Sequence, residues 1–434
     1  MSPPMYAAFT YVGRGGSLRH FIMIFLILAL GVGIFNANSA RTINENLIDT
    51  VKYKNPVDIR IKISHLVFDE SNNLVEETGP DVISSNVRKF EKIQKSELVS
   101  SVTKVGKYNA KVKQYSAYGG KPLSSTLYGI TPEEYGEVIW SRDDVLDVHI
   151  NYYLNLLAEH PDGVIISTLT AKTLEIKPGD FISISVPDID NMIEAPVLAI
   201  VDKWPGYNPY VGYDYETSRT VTNEKETFGL IIMHYDLLLS KAGDVDYSIW
   251  IKKADGVLDS QINTMLHNND ITISVGEYSD FLVSEQKKDP MILGMNGMLT
   301  LDFLVTMLIC GAGFIIFWIL SIRQRVLQFG IFRAMGLRKK ELMSIIFWEQ
   351  LLISAVAIIL GIIIGGIASD IFVPLFELIN SQSNRLLEFR VFSFRADYYR
   401  IYLIVGAMLI IGITTISRFI IHIKMDQAVK LGED

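Results

Sequence analysis

Few residues in this 434-residue chain have the type and spacing that chemistry needs. The single cysteine, Cys310, excludes an intramolecular disulfide and a cysteine-based zinc site, and within an apolar run it reads as a small buried hydrophobe. The seven histidines (His20, His65, His149, His160, His234, His267 and His422) are scattered, with no pair four residues apart beside a glutamate, so no metal centre is expected. An ATP-hydrolysing chain needs the loop G-x-x-x-x-G-K-[ST], whose backbone N–H groups and lysine hold the phosphates. That loop is absent, and the nearest strings, Gly13-Arg14-Gly15-Gly16 and Gly119-Gly120-Lys121-Pro122, read as flexible turns. No G-x-S-x-G nucleophile elbow occurs either, so no catalytic, cofactor-binding or metal-binding residue is assigned.

Two other features carry weight. Asp302 interrupts an apolar run; an ionisable group inside a membrane segment is costly and often functional, but its position near the start of the run places it at the interface. The stretch from Arg323 to Glu349 is basic and amphipathic. Val326, Phe329, Ile331, Phe332 and Met335 supply an apolar face, and Arg325, Arg333, Arg338, Lys339 and Lys340 a charged one. This pattern suits a short helix that lies on the membrane or docks on a cytoplasmic protein.

The elements that must position these residues are mostly membrane spans. Hydrophobic residues make up 49% of the chain and charged residues 20%, too apolar for an ordinary soluble or disordered protein. With 40 Lys and Arg against 48 Asp and Glu, a non-specific nucleic-acid partner is excluded. Four apolar segments read as spans at 21–38, 291–322, 345–368 and 400–422. Polar residues are nearly missing from them for several turns, unlike an amphipathic core helix. For the first, the alternative is a cleaved signal peptide, though its polar leader is long. Gly361, Gly365 and Gly366 form a small-residue face for helix packing in lipid.

If the N-terminus is cytoplasmic, the segments 1–20, 323–344 and 423–434 lie on that side with ten basic residues, and Arg418 at the inner end of the fourth span as an eleventh, against four acidic ones. That excess predicts both termini in the cytoplasm. The loop 369–399 then lies outside, as does 39–290, roughly 250 residues and enough for one large or two small folded domains. Within it Val57–Ser64, Phe181–Val186 and Val197–Val201 read as strands, the first by strict alternation of apolar with polar residues. Tyr247–Ile251, a helix carrying Leu258, Ile262 and Met265, and Ile271–Val275 close the domain as a β-α-β unit, so it is expected to be α+β. Trp204-Pro205-Gly206-Tyr207 reads either as an exposed aromatic contact or as a buried turn.

The run Phe329-Gly330-Ile331-Phe332-Arg333-Ala334-Met335-Gly336, followed by Arg338, Leu342 and a Glu349 that opens a glycine-bearing span, resembles the signature of FtsX-like (MacB-type) ABC transporter permeases. The four-span pattern with its large insertion is similar, as are Ser167–Val186 with its Lys177-Pro178-Gly179-Asp180 turn and the closing Ala428-Val429-Lys430-Leu431. Gln328 departs from the pattern, since such permeases usually carry an acidic residue there. The resemblance implies a permease subunit of the bacterial plasma membrane, in contact with membrane lipid. It would pair with a second permease subunit, as homo- or heterodimer, and with separate ABC ATP-binding subunits. Phe329, Gly330, Ile331, Phe332, Arg333, Met335, Gly336 and Arg338 would form the coupling helix that seats on the ATPase. The outer domain would be a MacB-like periplasmic core with a ferredoxin-like subdomain. The implied mechanism is mechanotransmission acting on an amphiphilic substrate (peptide, lipid or lipoprotein). The alternative is an FtsX-like signalling subunit that activates a cell-wall hydrolase or a sensor kinase. A membrane-anchored binding protein or enzyme without any ATPase is a third reading.

Overall fold

The computed structural model describes residues 17–63, 66–68, 74–76, 80–115, 122–187, 192–214, 219–222, 227–243, 245–379 and 386–422. Its contacts divide it into a helix unit (Met1–Asn46, Lys288–Ile379, Phe389–Asp434) and a sheet unit (Leu47–Lys287, Asn380–Glu388).

In chain order the elements are α1 (Ser17–Lys54), β1 (Ile59–Ile63), β2 (Leu66–Phe68), β3 (Leu74–Glu76), α2 (Pro80–Gln94), β4 (Val99–Gln114) and β5 (Leu123–Ile130). There follow α3 (Pro132–Val138), α4 (Ile150–Glu159), β6 (Val164–Ser167), α5 (Thr168–Leu174), β7 (Phe181–Ser185), β8 (Ile193–Val201), β9 (Val211–Asp214), β10 (Arg219–Thr222) and β11 (Gly229–His234). The last are α6 (Tyr235–Ala242), β12 (Tyr247–Lys253), α7 (Asp259–Asn268), β13 (Ile273–Tyr278), α8 (Ser279–Lys287), α9 (Pro290–Ala334), α10 (Lys339–Phe372) and α11 (Arg395–His422).

The sheet unit is built around β4, whose 16 residues serve both parts of one nine-stranded sheet. Its first half pairs with β12 from Val99 to Gly106, its middle with β5, and Lys111–Gln114 with β7. The last pairing closes β4-β5-β11-β6-β8-β7 into a ring of six strands. Because side chains alternate across a strand, one face of the ring takes Val112, Leu127, Ile166, Ile182, Ile184, Ile231 and Met233 into a single buried cluster. The opposite face of β5, β6 and β11, with Tyr128, Ile165 and Ile232, is covered by α3, α4, Trp204 and Trp250.

The rest of the same nine-stranded sheet has the order β13-β1-β12-β4, antiparallel throughout, and β9-β10 and β2-β3 form two separate hairpin-sized sheets. Phe90 and Ile93 of α2 and Ile262 and Leu266 of α7 pack on Ile59, Ile61, Ile249 and Ile251. In sequence this is β1-α2-β4, then the six-stranded ring as an insertion, then β12-α7-β13. That connectivity with that order is a ferredoxin-like unit. The expected β-α-β at the end of the domain is present, with β1 lying between its two strands.

The helix unit holds α9, α10, α11 and α1 through Asn46. Among the described residues three helices are long and apolar enough to cross a membrane: Met23–Lys54, Pro290–Gly313 and Met343–Glu377. The fourth expected span falls in the 28-residue α11, where several side chains lie outside the described residues. Several boundaries differ from the sequence expectation. The first span was ended at 38, where the apolar run stops, but the helix continues to Lys54. Residues 39–54 contain no glycine or proline, and the stop comes at Asn55-Pro56, since the residue before a proline is disfavoured in helical conformation. Likewise α10 begins at Lys339, and the described residues 386–388 group with the sheet unit.

Candidate functional site

The segment expected to couple to an ATPase is the end of one helix and the turn after it. The sequence suggested a separate short helix; α9 instead runs unbroken from Pro290 through Phe329, Gly330, Ile331, Phe332 and Arg333 to Ala334. Gly330 alone is too weak a breaker, costing about 1 kcal/mol relative to alanine inside a helix. The chain turns at Gly336, whose φ of +93° is a conformation glycine adopts without steric cost. Met335 N–H still donates to the Ile331 carbonyl at 3.0 Å. Arg338 then caps α10, its backbone N–H donating to the Glu341 carboxylate at 2.9 Å, which also places a negative charge on the first turn. Ile331 and Met335, four residues apart and so on one side, are 51% and 63% exposed, and Arg338 and Lys340 are exposed beside them. The side chains of Phe329, Phe332 and Arg333 lie outside the described residues.

The glycine face divides in two. A Cβ on Gly361 would stand 2.8 Å from Leu30 Cβ, and one on Gly365 would stand 2.9 Å from both the Gly31 carbonyl oxygen and Ile34 Cβ. Gly366, one residue round the helix, has nothing within 4 Å. Gly361 and Gly365 thus let α10 meet α1 backbone to backbone, and Gly366 does not take part. Sequence reading missed the partner surface on α1, although Gly31 and Gly33 in its apolar run were a signal. A Cβ on Gly33 would meet Phe303 of α9 and Ile401 of α11, both at 3.4 Å, so α1 touches all three other helices. Leu26, Leu30 and Ile34 complete that contact with Ile353, Ala357, Ile401 and Val405.

Beyond Phe35 the same helix changes chemistry. Asn38, Thr42 and Asn46, spaced by four, form a ladder on one side of α1. Asn38 donates to Ser369 Oγ at 3.0 Å and accepts from Tyr398 OH at 3.2 Å. Thr42 Oγ1 accepts from Phe392 N–H at 2.9 Å, and Asn46 pairs with both backbone groups of Arg390, at 2.7 and 3.1 Å. Arg41 makes a bidentate ion pair with Asp397 at 3.0–3.2 Å and lies over the Phe394 ring. These bonds satisfy backbone groups of an irregular segment that would otherwise need water. The spacing Asn38, Thr42, Asn46 was visible in the sequence, but the partners 330 or more residues away were not.

In the sheet unit, the last turns of α1 are held by aromatic and ionic groups. Trp204-Pro205-Gly206-Tyr207 is a buried turn, with Trp204 fully covered and Gly206 at φ +85°. Trp204 N–H donates to Tyr53 OH at 3.2 Å, Trp204 Nε1–H to Tyr135 OH at 3.1 Å, and Gly206 N–H to the Tyr53 carbonyl at 2.6 Å. Burial raises the Tyr135 phenol well above its ordinary range and pushes Tyr207 up to about 12. Both therefore stay neutral and act as packing and hydrogen-bonding groups, not as bases. Arg142 is bonded to Asp49 of α1 at 3.0 Å, to Asp144 at 2.5 Å and to the Glu388 carbonyl at 2.8 Å. Burial opposes its charge, but the bonds to Asp144 and Asp49 outweigh this, and its pKa is raised. Leu386 packs beside it on Tyr53 and Val145.

Chemically, these arrangements hold and position; none sets a nucleophile beside a base. Among the described residues no group of three or more His, Cys, Asp or Glu side chains is placed to hold a metal ion.

Residues 303–425 match the family model described as FtsX-like permease, C-terminal. No curated protein matches the chain. Among solved structures it is similar to the periplasmic region of MacB from Actinobacillus actinomycetemcomitans, at 13% identity over 54% of this chain and 94% of that one, with a TM-score of 0.31. It is also similar to the extracellular domain of the noncanonic ABC-type transporter YknZ from Gram-positive bacteria, at 14% identity over 50% and 100%, with a TM-score of 0.29.

Proposed function

From the match of residues 303–425 to the FtsX-like permease C-terminal family, we propose that this chain is the permease subunit of an ABC complex that works by mechanotransmission. In this reading a separate ATP-binding subunit supplies the hydrolysis. The chain contains no phosphate-binding loop of its own. The observation that carries the reading is the exposed corner within the matched segment, where α9 ends on Ile331 and Met335 and turns at Gly336 into α10. An apolar pair beside Arg338 and Lys340 fits an anionic, partly apolar cleft on a partner, the basic rim adding steering and register.

In this reading α11 is a fourth span and both termini are cytoplasmic, which would put this corner on the ATPase side. Closure of the ATPase pair would push on α9 and α10. The close contact of α10 with α1 at Gly361 and Gly365, and of α9 with α1 where Phe303 meets Gly33, leaves little slack, because backbones in van der Waals contact move together. The sheet domain would receive that motion and expel or extract an amphiphile from the outer side of the bilayer. A second permease subunit completes the complex.

The test is a detergent pull-down of the tagged chain, wild type against Ile331→Glu/Met335→Glu and Phe332→Ala/Arg333→Ala, with ATPase activity assayed in the eluate. The reading expects an ATP-binding subunit with the wild type and its loss with both double variants. Recovery of no ATPase even after mild crosslinking would overturn it in favour of a membrane-anchored binding protein.

A further inference from the structure

Asp302, on α9 of the helix unit, is neither buried nor, among the described residues, ion-paired. Its one described bond comes from Asn36 of α1, whose Nδ2 donates to Asp302 Oδ2 at 2.7 Å. Asn36 is 4% exposed, and the oxygen of the same carboxamide, Oδ1, is buried without a partner. The buried amide thus fixes the carboxylate from the α1 side through its nitrogen, and the rest of the carboxylate is left to the surface.

The depth of this pair follows from the residues on either side. From Phe303 to Ile322 the helix carries no charge, a length of about 30 Å at 1.5 Å per residue, which is the thickness of a bilayer's hydrocarbon core. Arg323 marks the other end. Polar side chains begin at the same level on two other helices, at Asn36 and at Ser369 with its Asn38 partner. Asp302 therefore sits where lipid headgroups sit. Its surroundings on α9 are apolar and exposed: Met298, Leu301, Val305 and Ile309 lie on or beside its side of the helix. The surface thus offers a negative charge at headgroup depth and an apolar flank running into the hydrocarbon.

We propose that Asp302, oriented by Asn36, is a binding site for the primary ammonium of a lipid headgroup, the acyl chain lying along Val305 and Ile309. A primary ammonium has three N–H donors to offer the exposed carboxylate, whereas a quaternary ammonium has none. A lipid reaches the site laterally from the bilayer, and its charge removes the cost of an unpaired carboxylate at that depth. The proposal rests on the membrane placement of α9 and not on the pairing with an ATPase, so the pull-down above can fail without touching it.

The test uses the full chain in nanodiscs of equal phosphatidylethanolamine and phosphatidylcholine, purified in detergent, with retained lipid counted by mass spectrometry. The wild type is expected to retain phosphatidylethanolamine in excess. Asp302→Asn should reduce that excess about tenfold, the scale of a lost charge-assisted hydrogen bond, and Asn36→Ala, which keeps the carboxylate, should reduce it less. On the wild type, N-acetylated phosphatidylethanolamine, which lacks the charge, should show no excess, so the outcome does not depend on how the variants fold. Equal retention of the two lipids by the wild type, or an excess unchanged in Asp302→Asn, would overturn the proposal. So would an Asp302-dependent uptake of a cationic amphipathic peptide without any lipid preference, or a change in oligomeric mass as the sole effect of Asp302→Asn.

Discussion

Through Asn46, α1 is held by glycines and short polar side chains, whereas from Leu47 onward it is held through its Tyr53 by the Trp204–Tyr207 turn and through its Asp49 by the half-buried Arg142 cation. The contrast extends to the two units. Large apolar side chains face outward on α9 and α10, at Leu308, Ile316, Ile359 and Ile367, and inward in the sheet unit, at Trp204, Trp250 and Tyr135. The difference is one of solvent. Lipid is as apolar as leucine, so burying leucine between helices in a membrane gains little, and helices associate there through close backbone approach and hydrogen bonds. In water the same burial is the main driving force, and bulky aromatics bury the most area.

The comparison breaks first, and most severely, at Trp204. Trp204→Ala should destabilise the sheet unit by about 3–5 kcal/mol, seen as a lower denaturant midpoint, while helical circular dichroism of the spans persists. If the spans are lost together with the sheet, the two units are not separately stabilised. A second effect is confined to alkaline pH. The unfolded chain gives up the Tyr207 phenolic proton near 10.0 and the folded one only at about 12. The stability this group supplies is therefore complete below pH 10 and is lost as pH rises through about 12, by at most about 3 kcal/mol. Tyr207→Phe should flatten that decline in a pH series of unfolding midpoints.

Gly365→Leu sharpens the contrast from the other side. Overpacking against Gly31 and Ile34 should cost about 1–3 kcal/mol, while Gly366→Leu, with open space, should stay within about 0.5 kcal/mol. Thermal unfolding in detergent distinguishes them, and equal effects would remove the close contact from the account. The smallest effect is expected at the ladder. Asn46→Ala should cost about 1 kcal/mol and speed hydrogen exchange at the Arg390 amide, whose acceptor it removes, without changing exchange in β11.

Much of the architecture was readable wherever the signal is local. The alternation in Val57–Ser64 became β1, with Ile59, Ile61 and Ile63 buried and Arg60 and Lys62 half-exposed. Lys177-Pro178-Gly179-Asp180 became a turn in which Gly179 takes φ +95° and the Asp180 carboxylate accepts from Lys177 N–H at 2.7 Å. The exposed end of α9 was likewise marked by its amphipathic pattern, although its continuity with the span was not, because a membrane helix and an amphipathic one differ in composition and not in backbone.

By itself, then, the sequence determined which segments are helical or extended and which of them prefer lipid, since those properties depend on neighbours within a turn or two. Only the tertiary structure decided how β4 is shared between the six-stranded ring and the ferredoxin-like sheet, and which two of the three glycines meet α1. It also decided that Arg142 gathers Asp49, Asp144 and Glu388 at one point. These contacts join residues up to hundreds of positions apart, and neither composition nor spacing along the chain records which distant surfaces are complementary in shape and charge.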